Sequence, residues 1–407
     1  MSSSLMDGLS SKKTKKLKVK HQKKKLYRSP DPFLSVFMWG VNYTVRELSY
    51  ISIPVMLMPE DFRAYAKIKI DNHAFNKENL PSHFKVKEYC PLVFRNLRER
   101  FGIDDAAYLK SLCKSPKAMD SPGRSGSKFY LSHDKLYVIK TITSEEVEQM
   151  HSLLKQYHPF IVERHGKTLL PQYLSMYRLT VDNVEHYMVV MRNIFSNHLR
   201  IHKKYDLKGS TVDREASQKE REKDSPTFKD NDFLSDGVKI HIGDEAKNLL
   251  LETLTADVDF LTKLHIMDYS LLLGVHDCEL AEQELEEAEL LAQGPEVIDP
   301  EDEEYDSGGS GGAALTPPDS PLAPGRVIYS NGRINPEKDI YAIPSRASTR
   351  EIYFLAVVDI LTHYGVKKQA AKAAKTVKYG SSVDGISTVE PDQYAKRFLN
   401  FISEAIE

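Results

Sequence analysis

A chain of 407 residues, 41% hydrophobic and 28% charged, can bury a sizeable core and has room for one bilobed domain or two modest ones. The formal net charge of -2 and mean hydropathy of -0.43 suit a soluble protein, and no apolar run approaches the roughly 20 residues a membrane-spanning helix needs. Cys90, Cys113 and Cys278 are odd in number and widely spaced, which excludes a disulfide framework and a cysteine metal set and fits a reducing cytosol.

Charge is uneven along the chain. Residues 12–25 are mostly lysine, and 279–306 are strongly acidic. The segment 1–30 reads as a disordered basic tail, either simply solvated, drawn to anionic lipids or serving as a nuclear-import address. No apolar signal core follows it, so secretion is not expected. From residue 31 the chain is globular. The acidic first turn at Pro59-Glu60-Asp61-Phe62 predicts a helix, and Val93, Leu97 and Phe101 predict another over 90–101. A polar stretch, 115–127, precedes two strands at 128–132 and 136–142. Thr143 and Glu146 then form a capping box that opens a helix with the apolar stripe Val147, Met150, Leu154, Tyr157 and Ile161. Strands follow at 173–179, 187–191 and 352–358. Residues 279–345 read as a disordered insert, acidic, then glycine-rich, then proline-rich. Thr316-Pro317 and Ser320-Pro321 inside it are candidate proline-directed phosphorylation sites.

Phosphoryl transfer needs a loop over the phosphates, a lysine, a carboxylate for Mg2+ and a carboxylate for the attacking hydroxyl. The loop candidate is Gly123-Arg124-Ser125-Gly126-Ser127-Lys128, which an ordinary hairpin turn explains equally well. Val138-Ile139-Lys140 ends an apolar strand in a lysine just before the capped helix, with Glu146 as one candidate partner. Asp268, within Ile-Met-Asp-Tyr-Ser-Leu, and Asp359, after Phe-Leu-Ala-Val-Val, are carboxylates set among apolar residues, costly to bury without a partner. A carboxylate at a strand end suits Mg2+ on a nucleotide. The stretch from Tyr205-Asp206-Leu207-Lys208-Gly209-Ser210 to Arg214 and Lys229 is either a solvated loop or a clamp for substrate phosphates.

Tyr-Asp-Leu-Lys-Gly-Ser at 205–210, Met-Asp-Tyr-Ser-Leu-Leu at 267–272 and Val-Asp-Ile-Leu-Thr-His-Tyr at 358–364 together resemble the phosphatidylinositol phosphate kinase family over residues 31–407. Phe84-Lys85-Val86-Lys87-Glu88-Tyr89-Cys90-Pro91 and the segment 94–102 resemble its type 2 members, the phosphatidylinositol 5-phosphate 4-kinases, and Met191, 271–274 and 341–343 resemble their gamma branch. The resemblance implies an α+β bilobed kinase fold with a flat basic face. Its N-lobe would span 31–191, and its C-lobe 192–407 would carry the insert 279–345 and a specificity loop at 366–390. It implies ATP and Mg2+ as cofactors, with Lys140, Asp268 and Asp359 catalytic and Asp359 ligating the metal. Ser125, Gly126, Lys140, Val190, Met191, Arg192, Asn193, Phe195 and Asp359 would contact nucleotide. Arg124, Lys208, Arg214, Lys229, Ala371 and Lys372 would contact lipid, with Ala371 where relatives that use the 4-phosphate carry glutamate. Within 366–385, Ala370, Ala373, Ala374 and Val377 share one helical face and Lys368, Lys372 and Lys375 another, which suits either an anionic bilayer or a bland surface helix.

By the same resemblance the chain phosphorylates the 4-hydroxyl of phosphatidylinositol 5-phosphate as a homodimer, or a heterodimer with related isoforms, with no nucleic-acid partner. It would be cytoplasmic and peripheral on endomembranes such as the endoplasmic reticulum, with plasma membrane or nucleus as further locations. Methionine at 191 offers no hydroxyl donor to a guanine, so ATP is expected over GTP. The alternative is a low-activity scaffold, or dimer partner of more active isoforms, that binds nucleotide and phosphoinositide. A protein kinase is disfavoured, because His-Arg-Asp and Asp-Phe-Gly are absent.

Overall fold

Asp31 opens the first element. Its carboxylate accepts from the Phe33 amide at 3.1 Å, and Pro32 sits at the first helical position, where its missing N–H costs nothing. The resulting helix α1 (Pro32–Ser49) is buried around most of its circumference and packs on strands β2 and β6. The computed structural model describes residues 26–71, 80–119, 126–292, 333–363 and 389–407. Expectations at Arg124, Ser125, Ala371, Lys372, the N-terminal tail and most of the specificity loop therefore lie outside the described residues.

Two sheets organise the chain. The first has β1 (Tyr65–Ile70), β2 (Phe84–Tyr89), β3 (Lys117–Met119), β4 (Phe129–Leu131), β5 (Tyr137–Ile142), β6 (Tyr173–Val181) and β7 (Val184–Arg192), in the order β1-β2-β6-β7-β5-β4-β3. All its pairings are antiparallel. Helices α2 (Pro91–Arg100), α3 (Asp105–Ser111) and α4 (Ser144–Glu163) accompany it. The second sheet has β8 (Lys203–Leu207), β9 (Thr227–Lys229), β10 (Ser270–Asp277), β11 (Ala342–Pro344) and β12 (Glu351–Val358), ordered β11-β12-β10-β8-β9. Among its described strands only β8 and β9 run parallel. With it go α5 (Gln218–Arg221), α6 (Asp230–Ser235), α7 (Asp244–Lys263), α8 (Cys278–Ala292) and α9 (Pro391–Ala405). This is the expected α+β architecture in two parts.

Several expectations hold in detail. The capping box at Thr143 and Glu146 is formed, and Val147, Met150, Leu154, Tyr157 and Ile161 are all buried on α4. The helix expected at 90–101 is α2. Others fail. Residues 59–63 make only a hydrogen-bonded turn, with Asp61 accepting from the Met58 amide, because the chain must extend into β1 two residues later. The two ends of the segment expected as an insert are structured instead, and its residues 293–332 lie outside the described residues. Its first acidic residues, 278–292, continue β10 directly into α8, which Glu282 ties to Arg350 (2.9 and 2.7 Å) and Glu284 ties to Arg200 (2.6 Å). Residues 333–345 return as β11 and its approach.

The two parts are joined at a buried carboxylate. Asp257 on α7 accepts from the Thr168 hydroxyl at 2.7 Å and the Leu169 amide at 2.6 Å, and the Leu169 carbonyl accepts from Val357 of β12 at 2.8 Å. The α4–β6 connection is thus fastened to the strand that leads to Asp359. Burial pushes the Asp257 carboxyl up to about 7, against the pull of its two donors and Arg164. A raised carboxyl holds more protons folded than unfolded between about pH 4 and 7, so its contribution to stability falls as pH rises through that window. Melting curves of wild type and Asp257→Asn should therefore shift in the variant's favour from pH 5 to pH 8. A constant difference across that range would refute the assignment.

Candidate functional site

The register of β10 against β12, with Ser270 opposite Val358, sets the main feature of the site. Asp268 lies just before one strand and Asp359 just after the other, so antiparallel pairing delivers both carboxylates to the same end of the second sheet. The flanking backbone is tied as well, Met267 donating to the Thr362 carbonyl at 2.9 Å. Both aspartates adopt left-handed backbone, each with φ of 63°. Aspartate tolerates that region better than most residues, and such positions concentrate at functional sites. β8 pairs with β10 so that Leu207 faces Leu271, bringing Lys208 to the same end. The Lys208 ammonium lies 3.9 Å from Asp268 Oδ1.

From the first sheet, β5 contributes Lys140, whose Nζ lies 3.4 Å from Asp359 Oδ1. Asp359 is 58% exposed and Lys140 13%. The expected partner Glu146 is used otherwise, since its Oε2 accepts from the Thr143 amide at 2.8 Å as the helix cap. The structure therefore pairs the lysine with a carboxylate 219 residues away. Asp359 also adds to the burial that raises the Tyr173 phenol. Gly126 is described beside Lys128, Thr141 and His186 around a cavity of about 440 Å³ lined also by α1 residues. Its neighbour Ser125 falls outside the described residues.

The strand β7 runs through Val190, Met191 and Arg192 between β5 and β6. Val190 is buried and Met191 half-buried against Val138. The Arg192 side chain is held within the protein. It donates to Gln172 Oε1 at 2.8 Å and to the Phe101 carbonyl at 3.0 Å, and burial lowers its pKa against the pull of Tyr341 and Tyr137. Asn193 ties the connection down, its amides donating to the Leu136 carbonyl (2.9 Å) and the Lys135 carbonyl (2.9 Å). Phe195 packs against Gly274 of β10. A Cβ at Gly274 would meet its Cε1 at 2.4 Å, so only glycine admits the ring. These five residues form the joint between the sheets.

A dense polar network holds Arg214. Its Nε donates to Asp230 Oδ2 at 2.7 Å, and its Nη2 donates to the Asp206 carbonyl at 2.5 Å and to Asp206 Oδ1 at 2.7 Å. Burial alone would lower the guanidinium pKa, but the two carboxylates carry it upward. Lys229 pairs with Asp206 in the β8–β9 register and its amide donates to Asp232. Lys140, Asp359, Asp268, Lys208 and the Arg214 loop are thus gathered at one end of the second sheet.

Comparison with known proteins separates the possible users of such a site. Residues 111–405 match the family model described as Phosphatidylinositol-4-phosphate 5-Kinase. The chain is 58% identical over 404 residues to Phosphatidylinositol 5-phosphate 4-kinase type-2 alpha of Gallus gallus, covering 97% of this chain and 96% of that one. It is 58% identical over 394 residues to the type-2 beta protein of Homo sapiens (95% and 92% covered) and 56% identical over 404 residues to the human type-2 alpha protein (97% and 96%). The chain belongs to the phosphatidylinositol phosphate kinase family.

In this family member, the support beneath Asp268 is the part that sequence reasoning missed. Helix α9 sends the Tyr394 hydroxyl to the Tyr269 carbonyl, next to Asp268. The Tyr269 ring meets Tyr394 edge-on at 4.9 Å and Phe398 edge-on at 5.2 Å. Burial, reinforced by the nearby Asp268 carboxylate, drives the Tyr394 phenol well above its usual range, so it stays a donor at any working pH. The spacing of Tyr394, Phe398 and Ile402 at i, i+4 and i+8 was an available signal. Tyr394→Phe leaves a buried carbonyl unsatisfied and should cost about 1–3 kcal/mol of stability. It should also lower kcat more than it raises the KM for ATP, and steady-state kinetics beside a denaturant titration check both. An unchanged kcat would show that α9 does not support Asp268.

Proposed function

We propose that this chain transfers the γ-phosphate of ATP to the 4-hydroxyl of phosphatidylinositol 5-phosphate at a membrane surface, giving phosphatidylinositol 4,5-bisphosphate. The observation that carries the proposal is the meeting of Lys140 and Asp359, 3.4 Å apart, at the sheet end that also holds Asp268. Lys140 neutralises nucleotide phosphate. Asp268 accepts or orients the inositol hydroxyl proton, with Lys208 close enough to set its field. Arg214, held by Asp206 and Asp230 through Nε and Nη2, keeps Nη1 without a partner among the described residues for the phosphate already on the lipid, beside Lys208 and Lys229; Arg124 and Lys372, outside the described residues, are expected to contact the lipid as well.

A single exposed carboxylate such as Asp359 fits Mg2+, which is held by one or two carboxylates together with substrate phosphates rather than by an all-protein cage. When bound, the ion neutralises charge on the transferring phosphoryl group. Met191 favours ATP over GTP for want of a hydroxyl donor. The names of the relatives and the alanine at 371 support the 5-phosphate as acceptor. No described helix is long and apolar enough to cross a membrane, which is compatible with peripheral attachment to endomembranes. The edge position of β1 in the first sheet, with alternate residues exposed, supports pairing of two copies through their N-terminal sheets. The test is transfer of labelled phosphate from ATP to short-chain phosphatidylinositol 5-phosphate. Time-dependent product is expected, with GTP a poorer donor. Absence of product with both nucleotides would overturn the proposal and leave a nucleotide- and lipid-binding scaffold.

A further inference from the structure

Everything that shapes the lipid-phosphate end of the site converges on one residue that sequence reading passed over. Asp230 opens α6, and its side chain is completely buried. The parallel register sets Asp206 of β8 opposite Lys229 of β9, so the next residue, Asp230, emerges beside the turn that leaves β8. Its Oδ1 accepts the amides of Lys208 and Gly209 at 2.8 Å each and of Ser210 at 3.4 Å, while Oδ2 accepts Arg214 Nε at 2.7 Å. One carboxylate thus fixes three consecutive backbone donors and a guanidinium.

The turn it grips has no slack on its other side. Gly209 has φ of +65°, and a Cβ there would lie 3.0 Å from the Arg397 carbonyl and 3.1 Å from Phe398 Cα. The next residues of α6 extend the grip. The Asn231 side-chain amide donates to the Thr211 carbonyl at 2.9 Å, and its backbone amide donates to the Arg214 carbonyl at 2.9 Å. Asp232 accepts from the Ala216 amide at 2.8 Å and from Arg221. The segment from the end of β8 through α5 is therefore moulded on α6, with Asp230 at the point where Lys208 departs toward Asp268 and Arg214 turns back.

Resting on the proposed lipid-kinase reading, we propose that Asp230 is the positioning residue of the cradle for the inositol phosphate monoester, acting through Lys208 and Arg214. Asparagine cannot replace it. Whichever way its amide turns, the NH2 faces either the three backbone N–H groups or the Arg214 Nε–H, donor against donor. The expected consequence is selective. Nucleotide meets the first sheet and Asp359, none of which Asp230 touches.

The test compares wild type, Asp230→Asn, Lys208→Ala and the double variant. Nucleotide binding and slow ATP hydrolysis to water should stay within about threefold of wild type in Asp230→Asn. Binding to phosphatidylcholine vesicles carrying phosphatidylinositol 5-phosphate should weaken by about 10-fold or more, as expected when a charge-assisted cradle loses its fixed geometry. The loss in kcat/KM for the lipid should be non-additive, the double variant lying within about threefold of the worse single variant. Additive losses, or wild-type lipid binding by Asp230→Asn, would overturn the proposal. Vesicle binding needs no turnover, so a wild-type chain that binds lipid without transferring phosphate sinks the kinase reading and leaves this one standing. Should Asp230→Asn fail to fold, amide exchange in the wild type decides. Protection at Lys208, Gly209 and Ser210 comparable to β8 is expected, and free exchange there would contradict the clamp.

Discussion

Asp268→Asn should lower kcat for transfer to phosphatidylinositol 5-phosphate by about 10³-fold, the middle of the range for a positioned general base, with the KM for ATP little changed. The substitution is a clean one. Asparagine tolerates the left-handed backbone that Asp268 adopts nearly as well as aspartate does, and it keeps the shape of the side chain. What it loses is the charge that faces Lys208 at 3.9 Å and the ability to take a proton from the inositol hydroxyl. Tyr394 and Tyr269 hold the turn in both proteins, so a misplaced backbone does not explain the loss. Single-turnover measurement with saturating ATP isolates the chemical step. Equal product from both proteins would remove Asp268 from the mechanism.

The second large effect belongs to the Lys140–Asp359 pair. Either Asp359→Asn or Lys140→Met should reduce kcat/KM by about 10²–10³-fold, the scale for removing a preorganised electrostatic contact at a transferring group. The two should differ in their Mg2+ dependence. Asp359→Asn is expected to require several-fold more Mg2+ for half-maximal activity, whereas Lys140→Met should weaken ATP itself at unchanged Mg2+ requirement. Groups that act as a unit are non-additive, so the double variant should fall within about threefold of the worse single. Two independent losses that multiply would show that the 3.4 Å contact is incidental.

Local elements were readable wherever local chemistry set them. The capping box before α4, its apolar stripe and the apolar strands β5, β7 and β12 all stand where their sequences place them. The helix α1 was missed because it is apolar around most of its circumference, which erases the period-3.6 contrast. Its start was nonetheless encoded in Asp31-Pro32. The turn at 59–63 was overread because acidic residues after a proline suit a turn as well as a helix. Glu279 to Glu289 looked disordered by composition, yet α8 forms because Glu282 and Glu284 find Arg350 and Arg200, partners that charge counts cannot show.

The site followed the same division. Lys140, Asp268 and Asp359 were legible as odd polar residues in apolar settings. Their meeting was not, because it depends on the register of Ser270 against Val358 and on the approach of β5 across more than two hundred residues. Glu146 was a reasonable partner for Lys140 until the helix cap claimed it. In the sequence Asp230 is one acidic residue among several charged ones. Only its burial and its four donors identify it.

The central claim is that this site adds phosphate at the 4-position of a lipid that already carries it at the 5-position. The most direct measurement supplies the 5-phosphate and 4-phosphate lipids side by side, with ATP, and identifies the position phosphorylated in each product. The predicted result is bisphosphate formed from the 5-phosphate lipid, with the 4-phosphate lipid left largely unchanged. Faster conversion of the 4-phosphate lipid, with the new phosphate at the 5-position, would contradict it.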